Sequence, residues 1–572
     1  MSESAANRFD ITIERRFVRA GGRSVHYRCA GSGPEVVMLH DSPRSSRLYI
    51  ETMKVLATRF RVHALDTPGY GNSDPIGVAD PTIADFADAL GDALSALGLV
   101  GAPLYATHTS AKIALDYAAR RDAPGTLILD GISIPAVPTS EAFIADYMRP
   151  FRLDDGGAYL AAEWSRIRDM LRWFPWFRPS AATRMAMAQP PREWIEQYAI
   201  DLFSAGPHYS DAYAAAMRYD PAPALRRISH PTIVAARADD VLVRFLDNVP
   251  TSDNRNLSVV RLAADRDAWL DWLTRTFEAV SDEATIAAPL AQSQSGPVYI
   301  DLPHGQMLVH RTGESKGPPL LILEAPGIHN ARRWQQAIGT RHCLIPELPG
   351  HGDSDAFDRP EADGHADALA AMLDTLGKAR ADILAIGFAA PLALAFAARH
   401  PDRISRIVLD GAPEPQPDWR ERYCPAFEFD SSGAHLHRIW HMLRDGEANW
   451  PWFDGSTDTQ RAVEPGLSAT NLHRSLLGIL KQPNHYGDAT RAAIDAPAPP
   501  AAAIAAPLMI FDLPADPAYR AAEALRARYP NAITTPRPPV LDAAAAVVRT
   551  FLNGNPPMAH PHSTAPAESA SS

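Results

Sequence analysis

The chain has 572 residues, of which 46% are hydrophobic and 21% charged, and its formal net charge is −12. The composition is typical of soluble globular proteins, the length exceeds that of one hydrophobic core, and the negative charge argues against nucleic-acid binding. No apolar stretch is long enough to span a membrane, the first ten residues lack the apolar core of a signal peptide, and three widely spaced cysteines indicate neither disulfides nor a metal site. We therefore expect a cytoplasmic protein of two or more domains, with no cofactor and no membrane partner.

The predicted elements of the first half begin with a hairpin at residues 17–30, followed by a buried strand at 36–39. A second strand leads into the turn DTPGYGNSD at 66–74, and an Ala-rich helix precedes LYATHTSAK at 104–112. Two further strands, LILD and PTIVA, start at Leu127 and Pro231. Short apolar strands that alternate with helices indicate a mostly parallel sheet covered on both faces.

The second half repeats this series. A hairpin at 298–311 and a strand at 320–323 precede the turn LPGHGDSD at 348–355 and the segment LAIGFAAP at 384–391. The spacing is nearly constant, since Thr109 and Ala389 are 280 residues apart, as are Asp130 and Asp410. The repeat predicts two tandem α/β domains, residues 1–286 and 297–553, joined by a linker at 287–296 and followed by a disordered tail at 554–572.

Three kinds of motif carry a family resemblance through their order along each half: HDSP at 40–43, the two Pro-Gly turns and the two strand-to-helix segments. Together they resemble the α/β-hydrolase superfamily, of the epoxide-hydrolase, haloalkane-dehalogenase and proline-iminopeptidase kind. The resemblance covers nearly the whole chain and implies a helical cap in each domain, at about 135–228 and 414–500. It also implies a nucleophile between strand and helix, an acid after the late strand, and a histidine after the last strand.

In the first domain these positions are degenerate. Thr109 stands in the nucleophile position, where it either attacks with the help of a base or packs locally. The acid is Asp239 or its neighbour Asp240, with Asp130 as a further alternative. Residues 260–269 contain no histidine, so the usual base is missing.

Other residues of the first domain are candidates for ligand binding. The turn after the strand at 36–39 places Asp41 where the family has glycine, and an inward carboxylate there would oppose an oxyanion. His40, His108 and Ser110 lie in the same loops, either as ligand contacts or as structural hydrogen-bonding groups. In the cap, three residues either pack together or line an aromatic pocket over the turn; they are Trp176, His208 and Tyr209.

The second domain has lost more, because Ala389 offers no nucleophile and residues 534–540 contain no histidine, although Asp516 keeps the acid position. Three functions stay open: a scaffold-type pseudoenzyme, a receptor for a small molecule, or a non-standard hydrolase or lyase that acts on a small acyl or carbonyl compound through Thr109. The missing triad members favour the first two. We expect a small-molecule ligand held in the first domain and leave a homo-oligomer or partner protein open.

Overall fold

The computed structural model of the protein describes residues 11–121, 125–185, 188–281, 295–313, 317–416 and 418–554. Most of the predicted linker and all but the first residue of the predicted tail lie outside these ranges. The chain divides into two compact units: unit 1 is Met1–Tyr299 with Phe429–His437, and unit 2 is Ile300–Glu428 with Arg438–Ser572.

The first sheet has eight strands, which are β1 (Glu14–Ala20), β2 (Arg23–Ala30), β3 (Glu35–Leu39), β4 (Arg61–Leu65), β5 (Leu104–Thr107), β6 (Leu127–Asp130), β7 (Thr232–Arg237) and β8 (Leu257–Leu262). Their spatial order is β1-β2-β4-β3-β5-β6-β7-β8. β2 pairs antiparallel with β1 and β4, and the strands from β4 through β3 to β8 are parallel to one another.

The second sheet has the strands β9 (Gly296–Leu302), β10 (Gly305–Thr312), β11 (Leu320–Ala325), β12 (Cys343–Pro346), β13 (Ala381–Gly387), β14 (Ile404–Asp410), β15 (Leu508–Asp512) and β16 (Ile533–Pro536). Their order, read from β9, is β9-β10-β12-β11-β13-β14-β15-β16, which matches the first sheet strand for strand. The predicted fold class, two tandem α/β domains, is thereby confirmed.

The helices of the first half are α1 (Ile50–Leu56), α2 (Ile83–Leu97), α3 (Thr109–Ala119), α4 (Glu141–Tyr147), α5 (Ala158–Met170), α6 (Arg192–Ala205), α7 (Asp211–Arg218), α8 (Ala222–Arg227) and α9 (Arg266–Val280). Those of the second half are α10 (His329–Ile338), α11 (Ala362–Thr375), α12 (Ala389–Arg399), α13 (Trp419–Arg422), α14 (Ala434–Ala448), α15 (Ala469–Lys481), α16 (Asp488–Asp495), α17 (Ala522–Arg528) and α18 (Leu541–Leu552). Helices α4–α8 and α13–α16 lie, in chain order, between the sixth and seventh strands of their sheets, in the segments for which the sequence predicts caps. No helix among the described residues is long and apolar enough to cross a membrane.

Buried helices cover each sheet with large side chains. In unit 1, Trp269, Leu273 and Phe277 of α9 belong to the same core cluster as Met38 of β3 and Val62 of β4. In unit 2, an equivalent cluster joins α10 and α18 to strands β11 and β14. This burial of apolar area is the main source of stability for both sheets and holds their edges in place.

The Pro-Gly turn of each unit is held in place by a buried carboxylate. In unit 1 the Asp66 carboxylate accepts hydrogen bonds from the backbone of Ser46 at 2.6 Å and of Asn72 at 3.0 Å. Gly71 has φ +55°, and a Cβ there would lie 1.9 Å from Asp66 Oδ2, so only glycine fits. Glu347 plays the same part in unit 2, where it accepts from the Asp353 backbone at 2.7 Å.

Candidate functional site

The turn from strand to helix in unit 1 falls on His108. This residue separates β5 from α3 and has φ 49° and ψ −111°, a conformation that L-residues rarely adopt. In an α/β-hydrolase the nucleophile occupies such a strained strand-to-helix turn, which we call the elbow. The position that the sequence motif assigned to Thr109 is therefore held by His108, because the sharp turn comes one residue earlier. Thr109 is 5% exposed and is the first residue of α3.

His108 is paired with an aspartate from the loop after β7. Its Nε2 lies 2.8 Å from Oδ2 of Asp240, whose Oδ1 accepts from the backbone of Leu242 at 2.8 Å. Gly131 makes room for the pair, since a Cβ there would lie 2.5 Å from His108 Cδ2 and 2.7 Å from Asp240 Oδ2. Asp239 points elsewhere: it binds the Arg237 guanidinium at 2.6 and 3.0 Å. The structure thus brings Asp240, and not Asp239, to the elbow.

The charges around His108 favour its protonated form. Burial alone would lower the pKa of His108, but the hydrogen bond with Asp240 and the charges of Asp240, Asp41 and Asp130 raise the pKa to about 9. Burial would raise the pKa of Asp240, but the hydrogen bond and the charge of His108 outweigh it and hold the pKa of this carboxyl below its usual value. At neutral pH the pair is an imidazolium and a carboxylate.

The turn after β3 is fixed by His40 and Ser110. His40 Nδ1 donates to its neighbour's carbonyl, Asp41 O, at 2.8 Å, and Nε2 accepts from the Thr67 backbone at 3.0 Å. The Ser110 hydroxyl donates to the carbonyl of His40. Both nitrogens of His40 are therefore occupied, which makes it a structural residue. Oδ1 of Asp41 is buried and has no hydrogen-bond partner within the described part of the chain.

Asp130 lies at the end of β6, under the elbow. It accepts from the Tyr105 hydroxyl at 2.7 Å and from Trp269 Nε1 at 3.0 Å, and burial raises its pKa despite these bonds. Its charge acts on His108, but its hydrogen bonds go to the core. Asp130 thus joins the elbow to α9.

The cap residues predicted to line a pocket make bonds inside the cap. Trp176 is buried and donates from Nε1 to the carbonyl of Tyr147 at 3.1 Å. Tyr209 is buried and donates from its hydroxyl to the carbonyl of Arg149. His208 is about half exposed and lies 3.0 Å from Asp211. These bonds account for the three residues as cap packing.

The elbow of unit 2 carries no side chain. Gly387 ends β13 with φ 54°, and Ala389 is fully buried as the first residue of α12. A Cβ on Gly387 would lie 3.3 Å from Cη2 of Trp450. The Trp450 indole therefore lies where a nucleophile would project.

The other two triad positions of unit 2 are used for buried ion pairs. Asp516 holds Arg461 of the cap, with Nε at 3.0 and 2.9 Å from its two carboxylate oxygens. Arg537, directly after β16 where the family has histidine, donates to Asp410 at 3.2 Å. Arginine stays protonated and cannot serve as a base. These positions stabilise the fold of unit 2.

A cavity of about 170 Å³ lies at the carboxyl edge of the unit 2 sheet. Aromatic and polar side chains line it, among them Tyr423, Trp450, Glu324, His329, His351 and Glu447. The sequence analysis did not select these residues for a site. The local signal was Glu324, an ionisable residue within the otherwise apolar strand β11.

Among the buried groups that line this cavity, Glu324, His329 and His351 have pKa values shifted toward the neutral form. Burial, with a contribution from the charge of Glu447, raises the pKa of Glu324 to about 7 although it accepts from the Ala331 backbone at 2.8 Å. Burial lowers the pKa of His329 and of His351. His329 lies 3.6 Å from Glu447, and neither of its nitrogens has a hydrogen-bond partner among the residues that the structure describes. The cavity is therefore lined by ionisable side chains whose pKa values burial shifts toward the neutral form. Across all the residues that the structure describes, no cluster of three or more metal-ligating side chains is present.

Comparisons with known proteins agree with this architecture. Residues 324–428 match the family model of the alpha/beta hydrolase fold. This match lies within unit 2 and, with the two sheets and their motifs, supports the predicted resemblance to the α/β-hydrolase superfamily.

The similar curated proteins align over short segments. One is the pimeloyl-(acyl-carrier protein) methyl ester esterase of Chromobacterium violaceum, 34% identical over 97 residues, which are 16% of this chain and 37% of the esterase. Another is the 2-hydroxymuconate semialdehyde hydrolase of Pseudomonas putida, 34% identical over 116 residues, which are 18% of this chain and 39% of the hydrolase. The chain thus spans less than half the length of these relatives. Among solved structures, potato epoxide hydrolase I is 19% identical, with coverage of 47% of this chain and 98% of that chain and a TM-score of 0.38.

Proposed function

We propose that this protein is a small-molecule-binding member of the superfamily, that the cavity of unit 2 holds the ligand, and that neither unit performs serine-type ester hydrolysis. The observation that carries the proposal is the elbow of unit 2, where Gly387 lacks a nucleophile and Trp450 lies against it while a lined cavity remains open beside them. From the sequence we expected the ligand in the first domain, whereas the cavity favours the second.

The catalytic groups of acyl transfer are replaced in both units. Unit 1 has an imidazole at its elbow and no histidine after β8, and unit 2 has Arg537 in the corresponding place. Loss of one triad member typically costs several powers of ten in rate. The alternative of a hydrolase or lyase that uses the Thr109 hydroxyl has less support, because Thr109 is buried in the first turn of α3.

The size and lining of the cavity limit the ligand. A volume of about 170 Å³ exceeds only slightly the roughly 150 Å³ of a protein cavity that accommodates benzene. The rings of Tyr423 and Trp450 supply an apolar wall, while His329 and Glu324 supply hydrogen-bonding groups. These features favour a compact aromatic or cyclic molecule with at least one polar substituent.

The experiment is a thermal-shift and calorimetric screen of the full chain with phenol, benzamide and benzoate. Val463 lines the cavity, so Val463→Phe fills it, and Ile533→Phe adds the same ring to the partly exposed face of β16 as a control. We expect a probe to bind the wild type and the control and to lose at least tenfold in affinity in the filled variant. Equal affinity in all three proteins, or rapid turnover of p-nitrophenyl acetate that Thr109→Val abolishes, would overturn the proposal.

We also infer that the two units arose by duplication. Besides the common strand order, they share individual bonds: Trp452 Nε1 donates to Tyr423 O at 2.9 Å, as Trp176 donates to Tyr147 O. The His485–Asp488 pair likewise repeats the His208–Asp211 pair at the same distance of 3.0 Å. Such detailed correspondence supports descent from one ancestral domain over independent assembly.

A further inference from the structure

His108, at the elbow of unit 1, combines a strained backbone with an accessible ring, and ligand binding in unit 2 involves neither. His108 holds a backbone conformation that is costly for any residue other than glycine, and such strain is concentrated at functional sites. Its side chain is 36% exposed, so the ring is accessible. Nε2 is engaged by Asp240, while Nδ1 has no hydrogen bond to a residue that the structure describes.

A carboxylate lies on the neighbouring strand end. Leu39 of β3 pairs with Ala106 of β5, so Asp41 and His108, each two residues further on, leave the sheet at the same level. Parallel strands lie about 4.8 Å apart. The charge of Asp41 contributes to the pKa of His108, and Oδ1 of Asp41 is buried with no partner in the described ranges. A proton donor and a proton acceptor thus share one edge.

We propose that this edge of unit 1 is a proton-transfer site for small neutral ketones, in which His108 protonates the carbonyl oxygen through Nδ1 and Asp41 accepts an α-proton. Asp240 is a positioning residue that acts through Nε2 of His108. The proposal is independent of the ligand cavity in unit 2.

The step balances without a co-reactant. The substrate C–H bond breaks as the Asp41 carboxylate takes the proton, and its electron pair forms the C=C bond of the enol. The carbonyl oxygen takes the proton from His108 Nδ1, which leaves a neutral imidazole hydrogen-bonded to Asp240. Proton exchange with water then recharges His108 and deprotonates Asp41.

Electrostatics favours this chemistry over acyl transfer. An oxyanion next to Asp41 would be destabilised by like charge, whereas protonation by His108 leaves a neutral oxygen. The groups that act on His108 are Asp240, Asp41 and Asp130, all acidic, and Arg237 lies near Asp240. The same carboxylates would repel an anionic substrate, so the class is neutral ketones.

The test is exchange of the α-protons of phenylacetone in D₂O, followed by ¹H NMR with the full chain. We expect catalysed exchange that declines as the pH rises through about 9, where His108 loses its proton. His108→Asn and Asp41→Asn should each reduce the rate roughly 100-fold or more. Asparagine is chosen at 108 because it tolerates positive φ better than most residues.

Asp240→Asn separates a positioning role from a structural one. It should shift the alkaline decline toward the ordinary histidine pKa of about 6.5, and NMR titration of the labelled His108 ring should move in parallel. Asp239→Asn is the matched control, since Asp239 binds Arg237 and does not contact the ring, and it should leave both curves unchanged. No exchange above buffer, an undiminished rate in folded His108→Asn, or an unshifted profile in Asp240→Asn would each refute the proposal.

Discussion

Nε2 of His108 donates a hydrogen bond to Oδ2 of Asp240 across 2.8 Å, and this pair links the elbow of unit 1 to the loop after β7. In the superfamily the acid of that loop orients a histidine that follows the last strand. Here the imidazole comes instead from the nucleophile position. The acid–histidine contact is therefore kept while the chain position of the histidine has changed.

Gly131→Ala should break this pair. The new Cβ would lie 2.5 Å from the His108 ring and 2.7 Å from Asp240, so we expect the pKa of His108 to fall from about 9 toward its ordinary value. NMR titration of the ring measures the shift. Gly77→Ala is the matched control. Gly77 has a φ of +73°, similar to that of Gly131, but no atom lies within 4 Å of the added Cβ. A His108 pKa that stays near 9 in Gly131→Ala would contradict this account.

Gly387→Ser should not restore ester hydrolysis. The serine would adopt φ near +54° with its Cβ 3.3 Å from Trp450, and the position after β16 where the family has the activating histidine holds Arg537. We expect destabilisation of roughly 1–2 kcal/mol from the backbone and about 1 kcal/mol more from the contact with the indole. Thermal unfolding against Gly377→Ser, which has φ +64° and open space, isolates the second contribution. Equal losses of stability in the two variants would show that Trp450 moves aside at no cost in free energy.

The stability of unit 2 should depend on the ionisation of Glu324. Its pKa in the folded chain is raised from 4.5 to about 7, so its contribution is fully present below pH 4.5 and is lost as the pH rises through 7. Relative to wild type, Glu324→Gln should therefore gain about 3 kcal/mol between pH 4.5 and 8. Urea unfolding at several pH values measures this difference. Glu523→Gln, on the exposed face of α17, should show no such trend, and a flat difference for Glu324→Gln would refute the assignment.

Asp516→Ala should act on stability, because Asp516 pairs with the buried Arg461. Asp516 is 0% exposed and Arg461 16%, and an unpaired buried guanidinium costs roughly 3–5 kcal/mol. The control is Asp239→Ala, whose exposed pair with Arg237 is worth at most about 1 kcal/mol. Thermal unfolding should separate the two variants clearly. If Arg461→Met combined with Asp516→Leu were no more stable than Asp516→Ala alone, the unpaired charge would not be the cause.

Much of the fold could be predicted from the sequence, because its signals are local and occur twice. The alternation of apolar strands and helices, the Pro-Gly turns and the constant spacing indicated two α/β domains, and the two sheets have the same strand order. The absence of a histidine after the last strand of each domain could also be read directly, since it depends only on residue type.

The site depended on the tertiary structure. Only the backbone angles show that the turn falls on His108 and not on Thr109, and only the loop conformation after β7 selects Asp240 over Asp239. The cavity of unit 2 is assembled from positions as distant as Glu324, Trp450 and Arg537, and no local pattern joins them. Periodicity reports which face of an element is buried, whereas a site depends on backbone dihedrals at single residues and on packing between distant segments. For this reason the sequence by itself determined the architecture, and the tertiary structure decided which side chains meet at its edges.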